Sequence, residues 1–476
     1  MKKIIVMGFA LLSLMACDDL ADLNIDKKNP QIVPAGSLFA NATTELFKFT
    51  SSSNVNVNNF RLWAQQWAQT TYADESNYEV NERNVTAQAW NRMYATVIRD
   101  IRDSKKFIEA DDVILPAKKA SQLAILEVVE LFAWHLMVDM FGNIPYTEAL
   151  TDDVTPAYDK DADIYNSLAT RLDAAIANLS GDSGLGNTDV VYGGDADKWK
   201  KVANSLKLRM AIRIADVNPG KAKTMAEQAI PGVMTSRADD FQLVFQTAPP
   251  HTNPLWLDLI QSGRSDFIAA SSIVEPMTAL SDPRLDKFFK DPVDDGTGTV
   301  RILGGTYGDN NNYNAFSHPG TRQLDPTFPG KILSYTEVQF LLADAAERGF
   351  SGAGSAADRY AMGVTSSILE WGGTQADADA YLAQEAVAYA TAPGTWKQKI
   401  ALQKWIALYD QGFEAWTTYR LYDWPALPMA VQAQMFPPTR YTYPVTEYTL
   451  NETSVAAASA AIGGDALHSK IFWDVN

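Results

Sequence analysis

The sequence predicts an all-α fold, an irregular stack of helix pairs with long loops forming the ligand face. Apolar residues recur near helical spacing over 37–50, 58–72, 84–109, 116–141, 161–179, 196–216, 334–350, 355–373, 396–421 and 445–461, while alternating strand patterns are rare. Between about 217 and 333 the periodicity gives way to Pro, Gly, Asn and Asp clusters such as TAPPHTNP, DPVDDGTGTV and GGTYGDNNNYNAFSHPG. Loops of that length inside a helical protein usually carry function.

Helical patterning dominates from Pro34 onward. Leu123 to Phe141 (LAILEVVELFAWHLMVDMF) is apolar nearly all round, which predicts a helix buried at the centre of a bundle. Paired helices fit the remaining segments, but the repeat of about 34 residues that marks tetratricopeptide arrays does not recur in register. The pairs are therefore read as a degenerate, tetratricopeptide-like stack. With no linker or composition shift, 37–476 reads as a single domain.

Cys17 is the only cysteine, so neither an internal disulfide nor a zinc site can be built on it. Lys2 and Lys3 precede an apolar run from Ile4 to Leu12, the layout of a secretory signal too short to span a bilayer comfortably. Leu14-Met15-Ala16-Cys17 then resembles a bacterial lipobox, with Met15 bulkier than usual at its place. The expectation is a signal peptide over 1–16, lipid on the sulfur of Cys17, and a tether over 17–36. An ordinary signal peptide cut near Ala16 is the alternative. Asp18 and Asp19 resemble the acidic signal that sends Bacteroidetes lipoproteins to the cell surface.

The chain is 46% hydrophobic and 20% charged with 12 Trp and 19 Tyr, the composition of a globular protein with a large core. A formal net charge of −17 with scattered cations opposes binding to nucleic acid. Four separated histidines (His135, His251, His318, His468), with no HExxH, GxSxG, Walker A or dinucleotide fingerprint, remove the usual support for a metalloenzyme, hydrolase or nucleotide site. No metal or cofactor is expected. Asp291 to Gly296 and Tyr307 to Asn314 could offer oxygens to calcium, yet neither follows an EF-hand ladder, and Asx turns account for them. A surface glycosidase would need paired carboxylates about 5–9 Å apart, which sequence cannot show.

In FRLWAQQWAQTTY, Phe60, Trp63 and Trp67 stand at helical spacing, with Tyr72 at the end. Either the stripe packs in the core, or its rings form flat platforms for sugars, whose C–H faces stack on aromatics while hydroxyls take hydrogen bonds from nearby Asn and Gln. Trp256 in HTNPLWLD, with Tyr307, Asn310 and Tyr313 in the Asn-rich segment, adds to the second reading.

The lipobox, DMFGNIPYTEAL (139–150), PAYDKDADIYNSL (156–168), DKWKKVANSLKLRMAIR (197–213), DPRLDKFF (282–289), SYTEVQFLLADAAERG (334–349), QKWIALYDQGFEAWTTYR (403–420) and RYTYPVTEYTLN (440–451) together resemble the SusD/RagB family of surface nutrient-binding lipoproteins, in its second SusD-like branch. The resemblance covers nearly the whole chain. It implies a lipid-anchored, outer-membrane protein that captures oligosaccharide or polysaccharide and delivers it, as a lid, to a SusC-like TonB-dependent transporter, without cleaving a bond. A peptide-binding member of the same family would share these motifs. The resemblance also assigns Trp199, Trp405, Trp416 and Trp473 to packing motifs, leaving Trp63, Trp67 and Trp256 as the first ligand candidates by elimination. Trp424 departs from the small residue usual before Pro425.

Overall fold

The computed structural model describes residues 33–475; the expected signal peptide, Cys17 and nearly all of the expected tether lie outside the described residues. The architecture is all-α. Helix α1 (Ala35–Ser51) is followed by α2 (Val85–Arg92), which runs through a π turn (Met93–Ile98) into α3 (Arg99–Ala110). Then come α4 (Pro116–Phe141), α5 (Asp161–Asn178), α6 (Ala196–Arg213), α7 (Pro219–Ala229) and α8 (Ser271–Ala279). The second half stacks α9 (Tyr335–Glu347), α10 (Ala356–Glu370), α11 (Gln375–Leu382), α12 (Trp396–Ala407), α13 (Gly412–Tyr422) and α14 (Glu452–Ala461).

Local chemistry fixes the helix ends. Pro116 opens α4, where its missing N–H costs nothing, and the helix stops at Gly142, whose φ of 78° a side chain would resist. A Cβ there would also sit 3.2 Å from Ile471. Asp195 caps α6 by accepting from the amides of Asp197 and Lys198, both at 3.1 Å. A reciprocal Thr395–Gln398 box starts α12.

α4 is the central rod, buried on every side from Ala124 onward except at Glu127, and packs on α3, α5 and α6. One apolar core extends from Phe39 to Trp473, and a smaller one fills the α9–α10–α11–α12 corner. Through the middle runs a buried ionic lattice. Arg209 of α6 binds Glu337 of α9 at 2.9 and 2.6 Å, and Arg213 binds Glu414 of α13 at 2.7 and 2.8 Å. Arg213 also reaches Asp139 of α4 at 3.0 Å. Each arginine is paired with at least one carboxylate, which is what permits ions in a dry interior.

Several predicted elements need correction. The helix expected over 58–72 is one turn, Phe60–Trp63, after which Gln65 adopts φ 53° and the chain leaves as strand β1 (Trp67–Gln69). The expected 396–421 helix breaks into α12 and α13. Within 217–333, α7 and α8 are regular helices.

The remaining strands are short: β2 (Phe241–Leu243), β3 (Phe267–Ala269), β4 (Phe289–Lys290), β5 (Val293–Asp294), β6 (Val300–Arg301), β7 (His318–Pro319) and β8 (Gly330–Leu333). They form antiparallel pairs β1–β3, β2–β8, β4–β7 and β5–β6. The β1–β3 pair, in register Trp67 with Ala269 and Gln69 with Phe267, brings the 70s and 260s loops together.

Candidate functional site

The six expected ligand residues separate into two groups. Trp63 and Trp67 are both 0% exposed, and Tyr307 is 2% exposed. Trp63 lies edge-on to Trp416 and Tyr441, with ring centroids 5.1 and 4.9 Å away. Trp67 is capped by the Arg61 guanidinium at 4.6 Å and donates its indole N–H to the Tyr409 hydroxyl at 2.7 Å. Tyr307 packs against Tyr78. These three rings are core, and the platform reading of them is corrected: a helix would have stacked Trp63 and Trp67 on one face, but the turn at Gln65 sends them to different parts of the interior. Trp199, Trp405, Trp416 and Trp473 are likewise at 0% exposure, and Trp424 packs half-buried against the main core.

Tyr72 and Asn310 are on the surface, and Trp256 is half-buried at the end of the short helix Pro254–Trp256. Tyr72 is 70% exposed, the most exposed large aromatic among the described residues, and sits at φ 58°. A bulky side chain in left-handed backbone costs on the order of 1–3 kcal/mol and persists only where its neighbours over-determine it. They do so here. The Thr70 amide and hydroxyl donate to the carbonyls of Asp266 and Ser265 at 3.0 and 2.6 Å. On the other side Asn77 donates to the carbonyls of Ala73 and Gly308 at 2.8 and 2.9 Å.

The Asn-rich loop is tied to the same place. Buried Asn311 donates to the carbonyls of Gln69, Thr306 and Asp309 at 2.9, 2.9 and 3.0 Å. Its neighbours Asn310, Asn312 and Asn314 remain exposed, so Asn311 is anchor while the side chains of Asn310 and Asn314 are free amides. A short turn, Tyr313–Ala315, follows, capped by Asn312 accepting from the Asn314 amide at 3.1 Å. Tyr313 is among the loop aromatics that the sequence offers to the platform reading. Its ring stacks on His318 at 3.8 Å, and burial raises its hydroxyl, with the nearby Ser265 side chain opposing the shift. Ser265, whose carbonyl receives Thr70, thus lies beside both the Tyr72 and the Tyr313 segments.

The result is a surface with one projecting ring, a second half-covered ring and several amides, suited to stacking and neutral hydrogen bonding. A cleft of about 650 Å³ lies elsewhere, lined by Arg237, Tyr335, Met362 and Gln375 among others, and shares no residue with this face. Among the described residues no group of three or more His, Cys, Asp or Glu is gathered that could hold a metal ion.

Comparison with known proteins places the chain. Residues 27–444 match the second SusD-like family model, "Starch-binding associating with outer membrane". A chitin-binding protein of known structure is 30% identical with TM-score 0.80, covering 93% of this chain and 100% of its own. A chitin-binding SusD homolog from Flavobacterium johnsoniae is 25% identical with TM-score 0.77, covering 92% and 99%. A SusD homolog from Bacteroides uniformis is 27% identical with TM-score 0.79, again covering 92% and 99%. No curated protein matches the chain. The matched family is one of binding proteins associated with the outer membrane, and among the described residues no helix is long and apolar enough to cross a membrane. The chain belongs to the SusD-like family of starch-binding proteins that associate with the outer membrane.

Proposed function

We propose that this protein is a cell-surface lipoprotein, anchored through Cys17, that captures a neutral glycan on the Tyr72–Asn310–Tyr313 face and delivers it as a lid to a SusC-like TonB-dependent transporter. In this reading residues 1–16 are the signal peptide, 17–36 the tether and 37–476 the binding body; no bond is cleaved and no cofactor takes part. The carrying observation is Tyr72, an aromatic held 70% exposed on left-handed backbone by fixed neighbours on both sides. Trp256 remains a peripheral candidate contact.

Two of the similar structures bind chitin, so N-acetylglucosamine oligomers are the proposed cargo. Their chemistry suits the face. A pyranose ring offers a C–H face to Tyr72, and the acetamido group needs both a donor and an acceptor, which each side-chain amide of Asn310 and Asn314 supplies. A few platforms give modest affinity for each contact, and longer chains gain through multivalency. Such weakness suits a protein that must release its cargo. Affinity electrophoresis of the chain from residue 18 onward, through gels containing soluble chitin derivatives, starch and other polysaccharides, tests this. Retardation in the chitin gel is expected. Free migration in every gel would count against glycan capture and favour peptide cargo.

A further inference from the structure

A cleft of about 520 Å³ opens beside α1, within the range of roughly 300–1,000 Å³ typical of small-ligand sites. Ser37, Ala40, Asn41 and Thr44 line it at intervals of three and four, so one stripe of α1 forms the near wall. The opposite face of the same helix, with Phe39, Ala42 and Leu46, is buried in the core. Leu243 to Gln246, the end of β2 and the chain that leaves it, complete the lining together with Val190 and His251. The Gln246 amide donates to the His251 carbonyl at 2.7 Å, which ties off the loop between them and fixes both side chains beside α1.

The lining is chemically selective. None of it is Asp, Glu, Lys or Arg, although 20% of the chain is charged and the 650 Å³ cleft carries Arg237, Asp358 and Asp379. A charged ligand would lose water here without gaining a counter-ion. The side chains of Ser37, Thr44, Gln246 and His251 have no hydrogen-bond partner among the described residues. Asn41 donates its amide N–H to Asp100 at 2.8 Å, which leaves its carbonyl oxygen as an acceptor. A wholly apolar ligand would dry these five groups unpaired. Leu243 and Phe245, with Ala40 and Val190, add apolar surface to the same space. Hydroxyl, amide and imidazole groups around an apolar wall suit a ligand that is uncharged, apolar on its ring faces and hydroxylated at its edge. That is the chemistry of a saccharide.

We propose that this cleft is a second saccharide site, separate from the Tyr72 face, with which it shares no residue. The identity of its cargo rests on the glycan reading of that face; its existence rests on the cleft alone. A polysaccharide engaging both sites is held longer than at either one.

The test is photo-crosslinking of the chain from residue 18 onward with an N-acetylglucosamine trimer that carries a diazirine, competed by excess unlabelled trimer and read by mass spectrometry of the labelled peptides. Ala40→Phe fills the cleft from α1. Gln246→Ala combined with His251→Ala removes two hydrogen-bonding side chains from an exposed loop, and serves if the first variant does not fold. In the wild type, competed label is expected in two places, on 37–44 or 243–251 and on the segments around Tyr72 and Asn310. Tyr72→Ala is expected to keep the cleft label, and Ala40→Phe to lose it while keeping the other. In the double variant the cleft label is expected to fall about fivefold or more, the scale of two neutral hydrogen bonds. Label confined to the Tyr72 face in the wild type, or cleft label that neither variant reduces, overturns the second site and leaves the glycan reading standing. Cleft label without face label upholds the second site and sinks the Tyr72 reading; no competed label anywhere overturns both.

Discussion

The indole N–H of Trp67 donates to the hydroxyl of Tyr409 at 2.7 Å, inside a region with no exposed surface on either side chain. That bond ties β1 to the end of α12, and Tyr409 in turn donates to the Phe288 carbonyl at 3.1 Å. Trp67 is thus a pin between the loop face and the helical stack.

Trp67→Ala should accordingly cost stability. Removing a buried indole leaves a large cavity and strands the Arg61 guanidinium above it, for a loss of about 3–5 kcal/mol. Chemical denaturation reads this directly. A variant of unchanged stability would show that the ring is dispensable to the core.

The error over 58–72 has a physical cause. Periodicity reports a helix when one face is buried and the other wet, but every residue from Asn58 to Thr70 is buried. In such a segment the apolar spacing says nothing about backbone. What decides it is the pair Gln65–Gln66, whose amides donate to the carbonyls of Pro428 at 2.7 Å and Trp405 at 3.0 Å. Those partners lie more than 300 positions away and were invisible to local reading. By contrast α4 was legible to its ends, because Pro116 and Gly142 mark them in the sequence. Within the site, the Asn run was legible as polar loop; which Asn anchors and which is free depends on the carbonyl of Gln69, a tertiary fact.

The ionic lattice predicts an uneven response to mutation. Burial opposes the charge on Glu414, but Arg209, Arg213 and Lys404 hold its carboxyl well below the usual range. Glu414→Ala would leave these cations short of a partner in a dry interior, at about 3–5 kcal/mol. A urea-unfolding midpoint close to wild type would contradict this.

His135 gives the pH dependence a sign. Burial lowers it to about 4 from 6.5, with Arg213 and Arg209 acting the same way and Asp139 opposing. Both ring nitrogens lack a hydrogen-bond partner, and the Asp139 carboxylate is 3.4 Å away. In acid the unfolded chain therefore binds a proton that the folded chain refuses. The contribution is fully present above about 6.5, and is lost as pH falls toward 4, for about 3 kcal/mol in total. His135→Met removes this component, so its stability should fall less over that window. Parallel pH profiles for variant and wild type would overturn the assignment.

The anchor is tested in cells. Cys17→Ala should move the protein from the membrane fraction to the soluble one, because the proposed lipid has no other attachment point. Continued membrane association of the variant would refute lipid anchoring through this residue.

The central claim is that Tyr72 is the exposed platform of a glycan site. Calorimetric titration of wild type and Tyr72→Ala with N-acetylglucosamine oligomers, dimer to hexamer, tests it most directly. The account predicts affinity that rises with chain length in the wild type and falls by about tenfold or more in the variant, the scale of one stacked ring at about 1.4 kcal/mol, with no loss of unfolding temperature. Equal affinities in the two proteins would contradict it.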